Sequence, residues 1–350
     1  MKILRKQDPA ICFGKETIFA DHAAANRSGH LGHAMVECAD GSLLAFYMNT
    51  SGAHNSGHTM YGWVEYRRSH DRGVTWSEPT VLKYSWDCFI EGVCKIGCEK
   101  AVVCDDGTIV LFCLRSIGKD FEPYATPVCL LSHDGGGTWS EPIEVHSERG
   151  RIYDALYKDG VIYVMHCCGD YFLHQLEEDQ HYRLYTSTDN GQTFEEVSII
   201  PFPQQRRSYG NMIFDAEGRL HAYAYNDIKE RELDHAVSED NGKTWTLLEP
   251  CYLDKAIRNP QVGYVDGVYV MHGRSEGLIG FVFYTSEDAT HWSEGTYLNT
   301  WDHPIGQYYS NNITLEDEQG KFLLVQYSES YDGSGRVNIK HTRLRVKKKN

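Results

Sequence analysis

Long apolar runs are missing from this sequence of 350 residues. None approaches the roughly 20 residues that a membrane-spanning helix needs, and residues 1–8 lack the apolar stretch of a secretory signal. Helical periodicity is weak throughout, which disfavours a helical bundle. We therefore expect a cytoplasmic protein that is built mainly from strands.

Excess positive charge and a regular cysteine framework are also lacking. The net charge of -15 argues against general binding to nucleic acids or to anionic membranes, although it leaves room for a local basic pocket. The 11 cysteines form no CxxC pair, and the closest sets are Cys94 with Cys98 and Cys167 with Cys168. This pattern predicts free, buried thiols in a reducing compartment.

One short phrase recurs along the chain. The pattern Ser-x-Asp-x-Gly-x-Thr-Trp, or a close variant, occupies residues 69–76, 132–139, 187–194 and 238–245, and a degenerate copy occupies residues 286–292. Asp and Gly suit a tight turn, because the carboxylate accepts bonds from nearby backbone N–H groups and glycine tolerates positive φ. The copies start 48 to 63 residues apart, which is about the length of one four-stranded sheet.

A second signal marks hairpins inside each repeat. Six times a short strand leads through a glycine-containing turn, such as Asp40-Gly41 or Asp106-Gly107, into a β-branched and aromatic strand. Thin sheets of this kind bury their faces by stacking around an axis, and a sandwich is the alternative. We predict an all-β, single-domain protein, residues 1–350, folded as a six-bladed β-propeller. The predicted blades span residues 28–85, 95–146, 150–200, 206–252, 256–298 and 305–346, after a lead-in, residues 1–27, whose strand closes the ring.

The recurrent phrase resembles the Asp-box, or bacterial neuraminidase repeat, of the sialidase superfamily. The resemblance covers residues 28–345 and implies that the turns lie on the rim of the propeller, where their aspartates are structural. It also implies a site on one face around the axis. That site forms where the innermost strands begin and where second strands pass into third strands.

A sialidase-like site implies an arginine group that grips a carboxylate, a tyrosine nucleophile paired with a glutamate, and an aspartate that acts as acid and base. The phrase Gln307-Tyr308-Tyr309-Ser310 is similar to the last-blade phrase that carries the nucleophile, which points to Tyr309. The resemblance assigns Arg258 and Arg274, with Arg206 or Arg207, to the arginine group.

Three departures from the sialidase pattern stand in this sequence. Gly32-His33-Ala34 replaces the first-blade Arg-Ile-Pro phrase, and the loop expected to carry the aspartate, residues 49–58, contains no carboxylate. Tyr209 stands where a glutamate should open the fourth blade. We therefore expect the fold to be retained while the chemistry has changed.

The candidate site residues follow from the expected mouth of the ring. A histidine can replace the missing aspartate, because imidazole titrates near neutral pH. The candidate catalytic residues are Tyr309, His33, His54, His58, Glu99 and Asp154, and the candidate substrate-binding residues are Arg258, Arg274, Arg207, Tyr209, Arg151, Asn311 and Arg115. The spacing of His30, His33, His54 and His58 is not diagnostic of a metal site, so we expect no metal and no cofactor.

Three functions suit these residues. The first is an exo-acting glycoside hydrolase for an acidic or small terminal sugar, distinct from a standard sialidase. The second is an oligosaccharide or polysaccharide lyase that uses a Tyr/His pair and an arginine that neutralises a carboxylate. The third is a non-catalytic glycan-binding propeller. All three imply a carbohydrate partner and neither nucleic acid nor a membrane, and the sequence leaves the oligomeric state open.

Overall fold

The computed structural model describes residues 11–53, 61–117, 125–168, 181–203, 206–275, 279–301 and 307–347. Antiparallel sheets dominate this part of the chain. Its α-helix, α1 (Lys83–Glu91), connects the first two blades, and a short 3-10 turn covers Ala23–Ala25. The helical segments in these ranges fall short of the length and apolar character that crossing a bilayer requires.

The strands follow the chain from blade to blade. Two short strands come first, β1 (Ile11–Phe13) and β2 (Thr17–Ala20). Blade 1 contains β3 (Arg27–Ser28), β4 (His33–Glu37), β5 (Leu43–Ser51), β6 (Gly62–Ser69) and β7 (Thr80–Val81). Blade 2 contains β8 (Lys95–Val103), β9 (Ile109–Ser116), β10 (Val128–Ser132) and β11 (Ile143–Glu144). Blade 3 contains β12 (Gly150–Lys158), β13 (Val161–Cys168), β14 (Tyr182–Ser187) and β15 (Glu195–Ile200).

The second half repeats this arrangement. Blade 4 contains β16 (Arg207–Phe214), β17 (Leu220–Asn226), β18 (Glu232–Ser238), β19 (Thr246–Leu247) and β20 (Cys251–Tyr252). Blade 5 contains β21 (Arg258–Val265), β22 (Val268–Ser275), β23 (Ile279–Ser286) and β24 (Thr296–Trp301). Blade 6 contains β25 (Ser310–Asp317), β26 (Gly320–Ser330) and β27 (Val337–Val346).

The innermost strands form a closed ring. Strand β4 packs on β8, and the contacts continue through β12, β16, β21 and β25 back to β4. Each sheet is therefore covered on both faces by its neighbours, which is why β17 is buried along its whole length. The prediction of an all-β, six-bladed propeller is confirmed.

The two ends of the chain meet in blade 6. Strands β1 and β2 both pair antiparallel with β27, and the registers place Ile11 opposite Val346 and Thr17 opposite His341. The lead-in thus supplies the outer edge of the sixth sheet, and backbone hydrogen bonds join the start of the described chain to its end.

The recurrent turns share one hydrogen-bonding pattern. In blade 2, Asp134 accepts hydrogen bonds from Ser132 Oγ at 2.8 Å, from the Thr138 N–H at 2.8 Å and from Thr138 Oγ1 at 2.7 Å. The same serine, backbone and threonine bonds recur around Asp71, Asp189 and Asp240. The bonds from Thr138 lower the pKa of Asp134 to about 2. These aspartates hold their own turns together.

All 11 cysteines are free thiols, and most of them are buried. Burial disfavours the thiolate, and it raises the pKa of Cys104, Cys129 and Cys251 to about 12. A thiol with such a pKa is a weak nucleophile at neutral pH. The buried cysteines therefore serve as small apolar residues of the core.

Candidate active site

The innermost strands are irregular at similar positions. The pairing register shifts between Cys98 and Lys100, Ile152 and Asp154, Ser208 and Gly210, and Arg258 and Gln261. A β-bulge leaves an extra residue out of the ladder and re-aims its side chain. The extra residues are Glu99, Tyr153, Tyr209, Asn259 and Pro260, so the mouth of the ring receives side chains that a regular strand would direct elsewhere.

A pocket lies on the axis among these residues. It is open to solvent on one side, and we call it the axial pocket. The side chains and backbone that line it come from five blades and belong to Gly32, His33, Glu99, Lys100, Arg151, Tyr153, Asn259, Gln261, Tyr309 and Ser310. The structure therefore brings together four candidates, namely Tyr309, His33, Glu99 and Arg151, at one opening.

A buried lysine closes the pocket below. Lys100 Nζ lies 3.1 Å from Asp154 Oδ1 and donates hydrogen bonds to Asn311 Oδ1 at 3.0 Å and to the amide oxygen of Gln261. Three acceptors match the three N–H groups of an ammonium, so Lys100 is saturated by protein. These contacts join blades 2, 3, 5 and 6 across the axis and make the axial pocket a dead end.

Asp154 belongs to this floor rather than to the reacting surface. Its Oδ2 accepts hydrogen bonds from Asn211 Nδ2 at 2.7 Å and from the Met212 N–H at 2.6 Å, and its Oδ1 accepts one from the Ala155 N–H at 2.9 Å. Burial raises the pKa of Asp154, against the opposing effect of Lys100. Its carboxylate oxygens are occupied, which suits a structural role.

Asn311 also belongs to the floor. Its Oδ1 accepts from Lys100, and its Nδ2 donates a 2.7 Å hydrogen bond to the backbone carbonyl of His33. The amide therefore links blade 6 to blades 1 and 2 beneath the pocket.

Two tyrosine hydroxyls meet at the pocket wall. The hydroxyl oxygens of Tyr209 and Tyr309 lie 2.7 Å apart, and both side chains are buried. Tyr209 adopts a φ of 49°, which is uncommon for a residue other than glycine. Burial raises the pKa of Tyr209 well above its usual value, and the nearby Tyr309 acts in the same direction. Tyr209 therefore stays protonated at neutral pH.

Arginines surround this tyrosine pair. The Arg258 guanidinium carbon lies 5.7 Å from the Tyr209 ring centre and 5.5 Å from that of Tyr225, and that of Arg274 lies 5.7 Å from the Tyr309 ring centre. Arg258 and Arg274 are direct cross-strand partners in β21 and β22. Cation–π contacts of this kind fix the guanidinium groups beside the tyrosines.

Glu99 and Arg151 form a bidentate ion pair. Arg151 Nε and Nη2 donate to the two carboxylate oxygens of Glu99 at 3.0 and 3.2 Å. The two side chains are only 8% and 5% exposed, respectively. Arg151 also lies over the rings of Tyr153 and Tyr209, at 5.3 and 5.9 Å. The pair places one carboxylate in a defined position on the pocket wall.

Other candidates lie apart from the axial pocket. Arg207 forms a buried ion pair with Asp234 within blade 4. Arg115 donates to the carbonyl of Thr126 at 2.9 Å and to Glu144 at 3.0 Å, towards the outer strand of blade 2. His54 and His58 lie outside the described residues.

His33 is buried at the base of the pocket. Burial is the main reason that its pKa is lowered to about 3, so the ring is neutral at neutral pH. His30 lies nearby, with its ring centre 5.3 Å from that of Tyr309. Neither the pocket residues nor any other described residues form a cluster of three or more His, Cys, Asp or Glu arranged to hold a metal ion.

Gln261 and Ser310 line the pocket as well, although neither is among the sequence-based candidates. The sequence could have indicated Gln261. Gln261 occupies a position in the innermost strand of blade 5 that corresponds to Asp154 in blade 3 and Asn311 in blade 6. The two-residue irregularity before Gln261 hid this correspondence.

Comparisons with known proteins agree with the fold. Residues 14–251 match the model of the BNR repeat-like domain. A protein of unknown function from Dyadobacter fermentans superposes with a TM-score of 0.76 at 15% identity, covering 97% of this chain and 100% of that one. The intramolecular trans-sialidase of Ruminococcus gnavus superposes with a TM-score of 0.64 at 14% identity, covering 94% of this chain and 97% of that one. The alpha-L-arabinanase of Penicillium chrysogenum superposes with a TM-score of 0.63 at 13% identity, covering 94% of this chain and 98% of that one. A search of curated proteins found no match.

Proposed function

This chain belongs to the BNR repeat-like domain family and has the propeller fold found in sialidases and an arabinanase, and on this premise we propose that it hydrolyses the terminal glycosidic bond of an acidic or small sugar. One observation carries the proposal. Tyr309 and Glu99 line the same dead-end pocket, and arginines lie beside the tyrosine. A pocket closed by Lys100 and its partners accepts the end of a sugar chain rather than its middle.

The arginines favour a substrate with a negative charge. Arg258 and Arg274 are only partly buried and lie beside the tyrosine pair. A guanidinium presents planar N–H donors that match a carboxylate. The overall charge of -15 would repel an acidic sugar in general, so a local pair of cations is what would make its binding favourable.

In the proposed reaction Tyr309 acts at the anomeric carbon. Its oxygen forms a bond to that carbon, or stabilises its developing positive charge, while the bond to the leaving oxygen breaks. The Tyr309 proton passes to a carboxylate and from there to the leaving oxygen. Water then releases the sugar. Tyr209 stays protonated, so it positions the Tyr309 oxygen by hydrogen bonding and does not take its proton. Glu99 is the carboxylate that lines the pocket among the described residues, which makes it the proposed proton acceptor. Both of its oxygens accept from Arg151, so one of these two bonds opens when Glu99 takes the proton.

One observation favours a second candidate function, β-elimination at a uronic acid. The hydroxyl of a second tyrosine, Tyr209, is hydrogen-bonded to that of Tyr309. In elimination a base removes the proton next to the uronate carboxylate, an arginine neutralises that carboxylate, and the C–O bond to the leaving sugar breaks. A tyrosine hydroxyl suits the donor that protonates the leaving oxygen.

A product assay separates these functions. The full chain is incubated with methylumbelliferyl glycosides of N-acetylneuraminic acid, glucuronic acid and arabinose, and with uronate-containing oligosaccharides. Hydrolysis releases the fluorophore or a saturated sugar, whereas elimination yields an unsaturated product that absorbs ultraviolet light. Turnover that persists unchanged in Tyr309→Phe would refute the assignment of Tyr309. Sugar binding without turnover of any substrate would favour a non-catalytic glycan-binding propeller.

A further inference from the structure

The innermost strand of blade 5 carries a bulge at the wall of the axial pocket. The register of β21 and β22 leaves Asn259 and Pro260 opposite the single residue Gly273. A proline has no N–H to donate to the ladder, so the pairing of the two strands is interrupted here. A β-bulge re-aims the side chains of the residues that it contains. Asn259 is the member of this bulge that lines the axial pocket.

The backbone of Asn259 and its packing on β22 fix the conformation of this bulge. Asn259 has a φ of 56°, in the left-handed region that asparagine tolerates better than most other residues. Gly273 packs directly against the bulge, because a Cβ added there would lie 2.8 Å from the Arg258 carbonyl oxygen and 3.0 Å from that of Asn259. These close backbone contacts define the position of Asn259 at the pocket wall.

The side-chain amide of Asn259 is accessible at this wall. The residue is partly exposed, and neither Oδ1 nor Nδ2 belongs to the buried polar atoms that lack a partner. Neither atom forms a hydrogen bond with any residue that the structure describes. An amide that is neither enclosed nor bonded to these residues faces solvent. Since Asn259 lines the axial pocket, a sugar that enters the pocket can reach this amide.

The uncharged polar side chains next to Asn259 are bonded to protein. Gln261 Nε2 donates to the Pro260 carbonyl at 2.8 Å, and its amide oxygen accepts from the lysine of the floor. Ser310 Oγ lies 2.9 Å from His272 Nδ1. Asn259 therefore contributes an uncharged donor and an uncharged acceptor to a part of the wall where its neighbours already have protein partners.

An amide side chain matches one arrangement of sugar groups better than others. Its oxygen accepts and its NH₂ group donates, side by side in one plane. Two hydroxyl groups on neighbouring ring carbons match it, because one donates to Oδ1 while the other accepts from Nδ2. An acylamino group does not, because its trans amide directs the N–H and the C=O in opposite directions. The ring of N-acetylneuraminic acid carries an acylamino group and no two neighbouring hydroxyl groups, whereas the ring of glucuronic acid carries a continuous row of hydroxyl groups.

We propose that the Asn259 amide binds two neighbouring ring hydroxyl groups of the sugar in the axial pocket and thereby selects a uronic acid over N-acetylneuraminic acid. The proposal rests on the proposed carbohydrate function and names its substrate class. The carboxylate of the uronic acid falls to Arg258, which precedes Asn259 in the chain, and to Arg274, the cross-strand partner of Arg258. Asn259 determines specificity and takes no part in the bond changes at Tyr309.

Nuclear magnetic resonance of the full chain, labelled with ¹⁵N in its asparagine side chains, tests the contact directly. The Asn259 side-chain signals are identified by their loss in Asn259→Gly. Glucuronic acid, arabinose and N-acetylneuraminic acid are then titrated separately. We expect glucuronic acid to bind most tightly and to shift the Asn259 Nδ2 signals. Tighter binding of N-acetylneuraminic acid than of glucuronic acid would overturn the proposal.

A matched pair of glycine variants separates the amide from the backbone. Glycine adopts positive φ without strain, so Asn259→Gly removes the amide and retains the bulge. This variant should bind glucuronic acid roughly 10-fold more weakly, because its hydrogen bonds to the hydroxyl groups are lost. Asn241→Gly makes the same change in a recurrent turn of the rim, where Asn241 has a φ of 59° and is exposed. This control should leave the affinity within about twofold.

Analogues of glucuronic acid that each lack one ring hydroxyl identify the groups that are bound. Loss of a hydroxyl that contacts Asn259 should weaken binding to the wild-type chain and cause little further loss in Asn259→Gly, because the two changes remove the same hydrogen bond. If every analogue loses as much affinity in Asn259→Gly as in the wild-type chain, the amide does not contact these hydroxyl groups and the proposal is refuted.

The outcomes distinguish this proposal from the proposed function. If none of the three sugars binds the wild-type chain, both fail together. If glucuronic acid binds the wild-type chain and Asn259→Gly equally well, the function stands and the role of Asn259 is refuted. Equal loss of affinity in Asn259→Gly and Asn241→Gly would also refute it, because the effect would then come from replacing any left-handed asparagine by glycine.

Discussion

Aspartates of the rim and of the axis accept similar hydrogen bonds in opposite environments. Asp134, in a recurrent turn, lies at the surface and has a pKa lowered to about 2 by bonds from its own turn. Asp154, on the axis, is 2% exposed, and burial raises its pKa although Lys100 lies beside it. The rim repeats one local solution in several blades, whereas the axis combines different residues from different blades. The repeated turns thus stabilise the individual blades, whereas residues that differ from blade to blade form the pocket.

The largest expected effect is a loss of folding stability in acid. Buried histidines and rim aspartates should cause this loss at different pH values. Burial lowers the pKa of six histidines to about 3 or 4, namely His22, His33, His166, His235, His272 and His341. Below pH 6.5 the unfolded chain binds protons that the folded chain does not, so stability is complete above pH 6.5 and falls as the pH decreases. Each histidine then removes about 1.4 kcal/mol per pH unit.

Urea unfolding followed by circular dichroism between pH 4 and pH 8 measures this loss. The rim aspartates contribute only at lower pH, because their stabilising effect is lost as the pH falls towards about 2. A midpoint that stays constant down to pH 4 would show that the buried histidines do not set the acid stability.

Removal of the axial carboxylate should have the next largest effect. Asp154→Ala leaves Lys100 without its ion-pair partner in the floor, and breaking a buried pair from one side costs about 3–5 kcal/mol. The free energy of unfolding in urea measures the loss. The double variant Asp154→Ala with Lys100→Met should recover part of it, because the isolated charge is removed as well. No recovery would mean that the hydrogen bonds of Asp154 to blade 4, rather than the charge, hold the floor.

Adjacent tyrosines allow a sharp test of the wall. Tyr309→Phe should reduce kcat about 100-fold or more while stability changes little, because one reacting hydroxyl is lost. Tyr308→Phe is the matched control. The Tyr308 hydroxyl lies 3.4 Å from Glu329 Oε1. Neither Tyr308 nor Glu329 lines the axial pocket. Steady-state kinetics should show near-normal turnover for this variant, and equal losses in both would indicate damage to the fold.

The smallest expected effect concerns the rim. Gly136 has a φ of 91°, and an added Cβ would lie 2.5 Å from Leu44 Cδ1 in blade 1. Gly41 has a φ of 78°, but its Cβ would meet nothing within 4 Å. Gly41→Ala should cost about 1 kcal/mol from backbone strain alone, and Gly136→Ala about 1–3 kcal/mol more from overpacking. Thermal unfolding compares the two, and equal costs would show that the turn does not pack tightly on its neighbour.

The frame was readable from the sequence because its signals are local. Asp134 and Gly136 lie two residues apart, and the hydroxyl of Ser132 bonds to the Asp134 carboxylate and to the Gly136 N–H. All three residues belong to one short phrase, so the phrase predicts the turn directly. Tyr309 and Arg258 were placed near the axis by resemblance. In the structure Tyr309 forms the tyrosine pair with Tyr209, and Arg258 lies beside the Tyr209 ring.

The pocket was only partly readable because its contacts are distant in sequence and its strands are bulged. Asp154 was a candidate acid or base, but its bonds to Asn211 and Lys100 cross between blades and have no local signature. The orientation of Arg115 also depends on the strand beside it, through Thr126 and Glu144. A shift of one residue in register reverses the direction of a side chain, so strand position alone could not decide which candidates converge.

The pairing of β1 and β2 with β27 affects how the chain is made. The other five sheets use only strands close together in sequence, so each can assemble as the ribosome extends the chain. The sixth must wait, because Phe13 pairs with Leu344, and closing so long a loop is slow. During synthesis the unfinished ring exposes the interior faces of its first and latest blades, and that interval is when a nascent chain of this design most needs protection from aggregation.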